Sequence, residues 1–436
     1  MSIQRPAKST FDVIVVGARC AGSPLATLLS RAGLAVCLLD RATFPSDTPS
    51  THGIQPCGVQ VLDRLGVREA VQSVTEPVEN VLLAFDDLRV ELSEFDRKVG
   101  APMLNVRRVT LDAILLEAAA AAGVDVRTGT TVNGLIESDG RVAGVETTGG
   151  ALSAPLVVGA DGARSTIARL AGAAEYMQTP ARRVFIWGYF GGVPGNRRVW
   201  LGRVGENAFL ASPTDAGLFL AAVVPPIERW EELRADRNGH YAAGLASWPE
   251  LRDHLGGAQQ VGPVRMMSRW HGFFRESAGP GWALIGDAGH FKDPTPGQGI
   301  ADALRQAVEM AGAIERALGG GEDPDRVLRD WWSWRDRDAW EMYWFAQEMA
   351  LPDRAPLLLR LIEKRMEAEP RLVEGMLRVL NHELAPSKLF GPRLAGSALA
   401  EGLIKGRGRR RALLREVRDL AAEQMRRRKP PALPNR

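Results

Sequence analysis

"VIVVGARCAGSPLA", residues 13–26, runs from an unbroken apolar stretch through Gly17-Ala18-Arg19-Cys20-Ala21-Gly22 into a pattern with Leu25, Leu28 and Leu29 on one helical face. A buried parallel strand reads as such an apolar run, and a period near 3.6 residues marks the helix. "LAVCLLD", residues 34–40, follows as a second strand, with Gly33 placed to end the helix between them. Residues 11–40 therefore form a compact strand-helix-strand unit. In such units the unpaired N–H groups of the helix start attract a phosphate, glycines let it approach, and an acid ending the second strand accepts a ribose hydroxyl. Gly17 and Gly22 keep the first and last glycine of that pattern, and Asp40 holds the acidic position. Arg19 stands where the middle glycine belongs, so taken alone the stretch fits a plain strand-turn-helix equally well.

The rest of the 436-residue chain bounds the answer. With 45% apolar and 25% charged residues it is of ordinary globular composition, neither disordered nor fibrous. Cys20, Cys37 and Cys57 are odd in number and show no metal-ligand spacing, which points to a reducing compartment. No apolar run suits a signal peptide or a membrane span, so a soluble, cytoplasmic protein is expected. The net charge of +3 is uneven: from Glu401 to Arg436 there are 12 basic and 4 acidic residues, leaving the remainder mildly acidic.

Along the chain, "TLDAILLEAAAAAG" predicts a helix, followed by three strands read as a meander: "TVNGLIE", "RVAGVETT" and "APLVV", the first two joined by Ser138-Asp139-Gly140. Residues 175–275 read as a mainly antiparallel sheet of short aromatic strands, joined by the segment 80–95. At "GWALIGDAGH" the strand-then-glycine style returns, "GIADALRQAVEMAGAIERAL" is an amphipathic helix, and the chain beyond Asp323 reads helical.

Two distant stretches join the opening one: "VVGADGARSTIARLAG", 157–172, and "GWALIGDAGHFKDPTPGQGIADALRQA", 281–307. In order and spacing the set resembles the class A flavin-dependent monooxygenases, the p-hydroxybenzoate hydroxylase-like family, on a scaffold shared with geranylgeranyl reductases and flavin-dependent halogenases. The resemblance covers roughly the first three quarters of the chain. It implies an α/β, glutathione-reductase-type FAD-binding fold: a central parallel sheet, an inserted mainly antiparallel substrate sheet and a helical C-terminal region. The FAD-binding part would come from residues 1–79, 101–175 and 276–320, the substrate sheet from 80–100 and 176–275, and the helical region from 321–436.

Residue by residue, the resemblance implies that Gly17, Ala18, Ala21 and Gly22 hold the FAD pyrophosphate, Asp40 with Arg41 beside it the adenosine ribose, and Arg108 the flavin phosphates. Asp161 of the Asp-Gly motif would touch FAD indirectly and help place the nicotinamide cofactor, and Asp287 would bond the ribityl or ribose hydroxyls. The stretch from Pro294 through Gly297, Gln298 and Gly299 to Ile300 would set backbone N–H groups against the flavin N1–C2=O edge, where reduction leaves negative charge. NAD(P)H would be a transient donor, since no second glycine fingerprint follows a strand. Oxygen would then form a flavin C4a-hydroperoxide that hydroxylates a small, apolar, aromatic or heteroaromatic substrate. A reductase of the geranylgeranyl type acting on C=C bonds is the alternative.

Several residues keep two readings. Arg19 either folds onto the diphosphate or points into solvent. His52 is the candidate catalytic acid or base, with His290 behind it; each could instead be a structural hydrogen-bond partner. Trp187, Tyr189, Phe190, Trp200, Phe209 and Phe219 line a substrate cavity or fill a core, with a minority facing the cavity. The arginine-rich tail binds an anionic surface or nucleic acid, or is a solvated helix face with Leu413, Leu414, Val417 and Leu420 inward. Nucleic acid is not expected as a partner.

Overall fold

The computed structural model describes residues 9–50, 52–195, 197–267, 270–351, 357–405, 410–427, 429–430 and 432–433. Its centre is a six-stranded sheet in the order Ala278–Gly279, Trp282–Leu284, Leu156–Gly159, Val13–Val16, Val36–Leu39, Asp125–Arg127. Neighbours run parallel except for the first pair, a hairpin. Val13–Val16 lies in the middle and is buried on both faces, which is why its sequence shows no alternation. Helices Gly22–Arg31, Arg108–Ala121 and Gly299–Gly319 pack on one side through Leu25, Leu29, Leu111, Leu115, Leu304 and Met310.

Leu156–Gly159 does not close the meander; it pairs parallel with Val13–Val16 and with Trp282–Leu284. The meander's third strand is Gly150–Ser153, antiparallel to Arg141–Thr147. A four-residue apolar run has the same pattern in either place, and the burial of all four residues suits the sheet centre.

The aromatic strands form a seven-stranded sheet in the order Gln259–Met267, Phe185–Gly191, Leu218–Val224, Asn207–Pro213, Arg198–Val204, Asn80–Phe85, Leu88–Leu92. Asn80–Phe85 runs parallel to Arg198–Val204, and every other neighbour is antiparallel. Glu175–Pro180 and His271–Arg275, expected in this sheet, leave it to pair with each other and with His290–Phe291. Alternation sorts the side chains: Phe185, Trp187 and Tyr189 cluster with Leu210, Leu220, Met267 and Trp270 on one face. Phe190, Trp200, Phe209 and Phe219 join Tyr241 and Trp248 on the other, under the short helices of residues 230–254. Of the six aromatics, only Trp187 and Tyr189 therefore share the face of Met267 and Trp270.

The C-terminal region is helical, led by Pro324–Met349, with Leu357–Ala368, Pro370–Leu380, Pro392–Lys405 and Arg410–Arg426 behind it. In the last helix Leu413 is buried and Val417 and Leu420 pack inward, but Leu414 is 50% exposed, contrary to expectation. Its position one residue on from Leu413 turns it about 100° away from the packed stripe. Residues 407–409, 428 and 431 of the arginine-rich stretch lie outside the described residues.

Candidate functional site

A cavity of about 780 Å³ opens at the carboxyl ends of the parallel strands, where open α/β sheets hold their ligands. Gly17, Arg19, Ala21, Asp40, Arg41, Arg108, Asp161, Asp287, Pro294, Gly299 and Ile300, all singled out from sequence, line it. Ala18, Gly22, Gly297, Gln298 and His52 are not on its described wall.

The floor is the Gly17–Gly22 turn. A Cβ on Gly17 would lie 2.4 Å from the Ala160 carbonyl oxygen, and one on Gly22 would lie 1.8 Å from that of Gly17. The two strand ends and the helix start are therefore packed backbone to backbone, which only glycine allows. The helix Gly22–Arg31 starts without a side-chain cap and without an acid in its first turn, leaving its positive end to face the cavity. Asp40 is held by the Ala18 and Ala42 amides, each donating at 2.8 Å. Its two oxygens keep lone pairs for hydroxyl donors.

Arg19 does not point free into solvent: its side chain is 23% exposed. Its guanidinium lines the cavity, donates to Asp112 Oδ2 at 2.7 Å and to Ser46 Oγ at 3.0 Å, and lies over Phe44. Arg108 holds the other oxygen of Asp112 at 2.9 Å. Asp112 is fully buried, so two guanidiniums share one carboxylate and leave the wall with a surplus positive charge. Asp112 was not singled out from sequence, although it falls four residues after Arg108, one helical turn away.

Asp287 is exposed to the cavity, where the surrounding protein walls, opposed by Arg108 and reinforced by Asp302, push its carboxyl up to about 6. Asp161 accepts from Ser165 Oγ at 2.5 Å and from the Thr166 amide at 2.6 Å, so its carboxylate braces the loop after Leu156–Gly159. Burial raises its pKa against those bonds. The helix Gly299–Gly319 also begins without a side-chain cap. Its first-turn acid, Asp302, is buried against Lys292 at 2.6 Å and His382 at 2.7 Å. Burial alone would raise the Asp302 carboxyl, but Lys292 and His382 hold it well below the usual range. Gln298, expected near the ligand, turns its amide away to the Leu380 carbonyl at 2.7 Å.

His52 is 1% exposed, and its Nε2 is 2.6 Å from the Tyr189 hydroxyl. Burial, reinforced by Arg108, pushes its pKa down to about 3, so the ring is neutral near pH 7. His290 does line the cavity; burial lowers its pKa as well.

The geometry fits a flavin dinucleotide: a cradle that a Cβ would fill, a helix start free of its own acids, surplus guanidinium charge for a diphosphate and carboxylates for hydroxyls. Residues 10–345 match the family described as FAD binding domain. The chain belongs to this family. It is an FAD-dependent oxidoreductase, and its expected kinship with the class A flavin monooxygenases, on a scaffold shared with halogenases, holds. A 6-methylpretetramide 4-monooxygenase of Streptomyces rimosus is 31% identical over 68% of this chain and 73% of its own length. A menaquinone reductase of Mycolicibacterium smegmatis is also 31% identical, over 69% of this chain and 76% of its own. Among solved structures, the flavin-dependent brominase Bmp2 superposes with a TM-score of 0.74 over 91% of this chain and all of its own, at 18% identity, a likeness of fold alone. Among the described residues no helix is long and apolar enough to cross a membrane.

Proposed function

We propose that the chain is an NAD(P)H-consuming monooxygenase that hydroxylates an apolar, aromatic or heteroaromatic small molecule. The observation that carries this reading is the position of one apolar sheet face: Met267 and Trp270, which cluster with Trp187 and Tyr189, line the same cavity as the glycine floor and Asp287. Bound there, FAD would supply the redox and oxygen chemistry, with the nicotinamide cofactor as electron donor. This chain's own residues bind, orient and exclude water. Arg108, Arg19 and the Gly17–Gly22 turn hold the diphosphate end, Asp40 and Arg41 the ribose, Asp287 the ribityl hydroxyls, and Pro294 to Ile300 the flavin edge. Asp161 keeps the nearby loop in shape for the nicotinamide donor. His52 acts by orienting the Tyr189 hydroxyl, which belongs to the apolar cluster of Met267 and Trp270 on the substrate side.

The similarity to a monooxygenase over two thirds of the chain supports this reading. The equal identity to a menaquinone reductase favours a second one, hydride transfer to a C=C bond without oxygen. Incubating the flavin-loaded protein with NADH or NADPH and a panel of phenols, heteroaromatics and quinones under isotopically labelled oxygen separates them by product mass. Incorporation of one labelled oxygen supports the monooxygenase; a change in hydrogen count alone overturns it.

A further inference from the structure

The turn Leu380–His382 belongs to the C-terminal helical region, beyond the residues that match the family. It nevertheless reaches the flavin wall at three points. The Leu380 carbonyl accepts from Gln298 Nε2 at 2.7 Å, the Asn381 side chain accepts from the Cys57 amide at 2.7 Å, and His382 Nε2 lies 2.7 Å from Asp302 Oδ1. Gln298 and Asp302 flank the start of the helix Gly299–Gly319, while Cys57 lies in the helix Pro56–Arg64 packed beside it. His382 takes a left-handed backbone, φ 58°, to make its contact. The side chains of His382 and Lys292 are each 5% exposed and that of Asp302 12%. Of the three, Lys292 and Asp302 line the cavity and His382 stands behind.

A buried carboxylate with two cationic or donor partners on separate oxygens is fixed in orientation, whereas one partner leaves it free to swing. We infer that the Leu380–His382 turn is a clasp on the flavin site, in which His382 is a positioning residue: it orients Asp302 so that Asp302 holds the Lys292 ammonium at the cavity wall. The clasp rests on the reading that FAD occupies this cavity. It assigns the C-terminal region a part in cofactor retention, through a charge placed two residues before Pro294, next to the helix start that faces the flavin edge.

The test is FAD titration of the full chain, stripped of flavin and followed by fluorescence quenching, with His382→Gln and His382→Leu as a matched pair. Both side chains fill the space, but only glutamine can donate to Asp302. His382→Leu weakens FAD binding about tenfold and His382→Gln stays within about twofold of the native protein. Lys292→Met loses about as much as His382→Leu, and the double variant loses no more than either alone, because both remove the same arrangement. Equal affinities for the Gln and Leu variants, or additive losses in the double, overturn the clasp. Should His382→Leu not fold, His382→Met, which fills the space without donating, takes its place: a loss of about tenfold upholds the clasp and native affinity overturns it. A native chain that takes up no FAD overturns the underlying reading instead, a result none of the variant comparisons can imitate.

Discussion

Replacing Gly17 by alanine tests the floor of the site, and Gly33→Ala supplies its control. Both residues have a left-handed backbone, φ +108° and +91°, so a side chain at either is strained. They differ in space. A Cβ at Gly17 would sit 2.4 Å from the Ala160 oxygen, 2.6 Å from its carbonyl carbon and 2.8 Å from the Asp161 nitrogen, while nothing lies within 4 Å of one at Gly33. All three atoms at Gly17 are backbone, so no rotamer change relieves the overlap. The ends of Val13–Val16 and Leu156–Gly159 must part by about 1 Å before the contact becomes an ordinary one. Conformational strain of about 1–2 kcal/mol applies to both variants. Overpacking adds about 1–3 kcal/mol at Gly17 alone. Melting of the flavin-free proteins, paired with FAD titration, reads the difference. Gly17→Ala melts lower than Gly33→Ala and loses FAD affinity, because the displaced atoms are the cavity floor; Gly33→Ala keeps native affinity. Equal melting points and equal affinities for the two variants would refute the close-packed cradle.

Other consequences are open to direct measurement. Asp112→Ala leaves Arg19 and Arg108 facing each other without their shared carboxylate, at a cost of about 3–5 kcal/mol to the flavin-free protein. Added FAD then raises the melting temperature by more than it does in the native chain; an unchanged increment would argue against a diphosphate at this wall. Asp293 is fully buried, its Oδ1 accepts from the Thr295 amide at 2.9 Å, and burial pushes its pKa up to about 6. A folded-state value above the unfolded one of about 3.9 means that its contribution to stability is complete below that value and is lost as pH rises through about 6. Asp293→Asn therefore flattens the fall in stability between about pH 4 and pH 6, seen as melting temperature against pH; a parallel profile would contradict the burial argument. Arg183, fully buried, donates to the carbonyls of Glu206, Val224, Ala350 and Leu351, tying the end of the helix Pro324–Met349 to the large sheet. Arg183→Met removes all four donations and destabilises by about 3 kcal/mol or more in denaturant unfolding, where a loss below about 1 kcal/mol would discount the tie.

What was legible in the sequence followed the distance over which its signals act. The Gly17–Gly22 turn, Asp40 and the face holding Leu25 and Leu29 are local patterns, and the structure places them in one strand-helix-strand unit. The place of Leu156–Gly159 is not legible locally, because its partners, Val13–Val16 and Trp282–Leu284, lie more than a hundred residues away on either side and an apolar run does not name its neighbours. The charge balance of the wall was equally hidden. Arg19, read alone, had only a ligand or solvent to meet; its partner Asp112 is 93 positions away and shared with Arg108. The irregular loop residue and the acid in the helix thus answer one requirement. A guanidinium in place of glycine adds positive charge to a phosphate-binding turn, and a buried carboxylate keeps that charge from repelling Arg108 when no ligand is there. His382 illustrates the same limit at greater range, since only the folded chain brings a residue of the last helices to within 2.7 Å of Asp302.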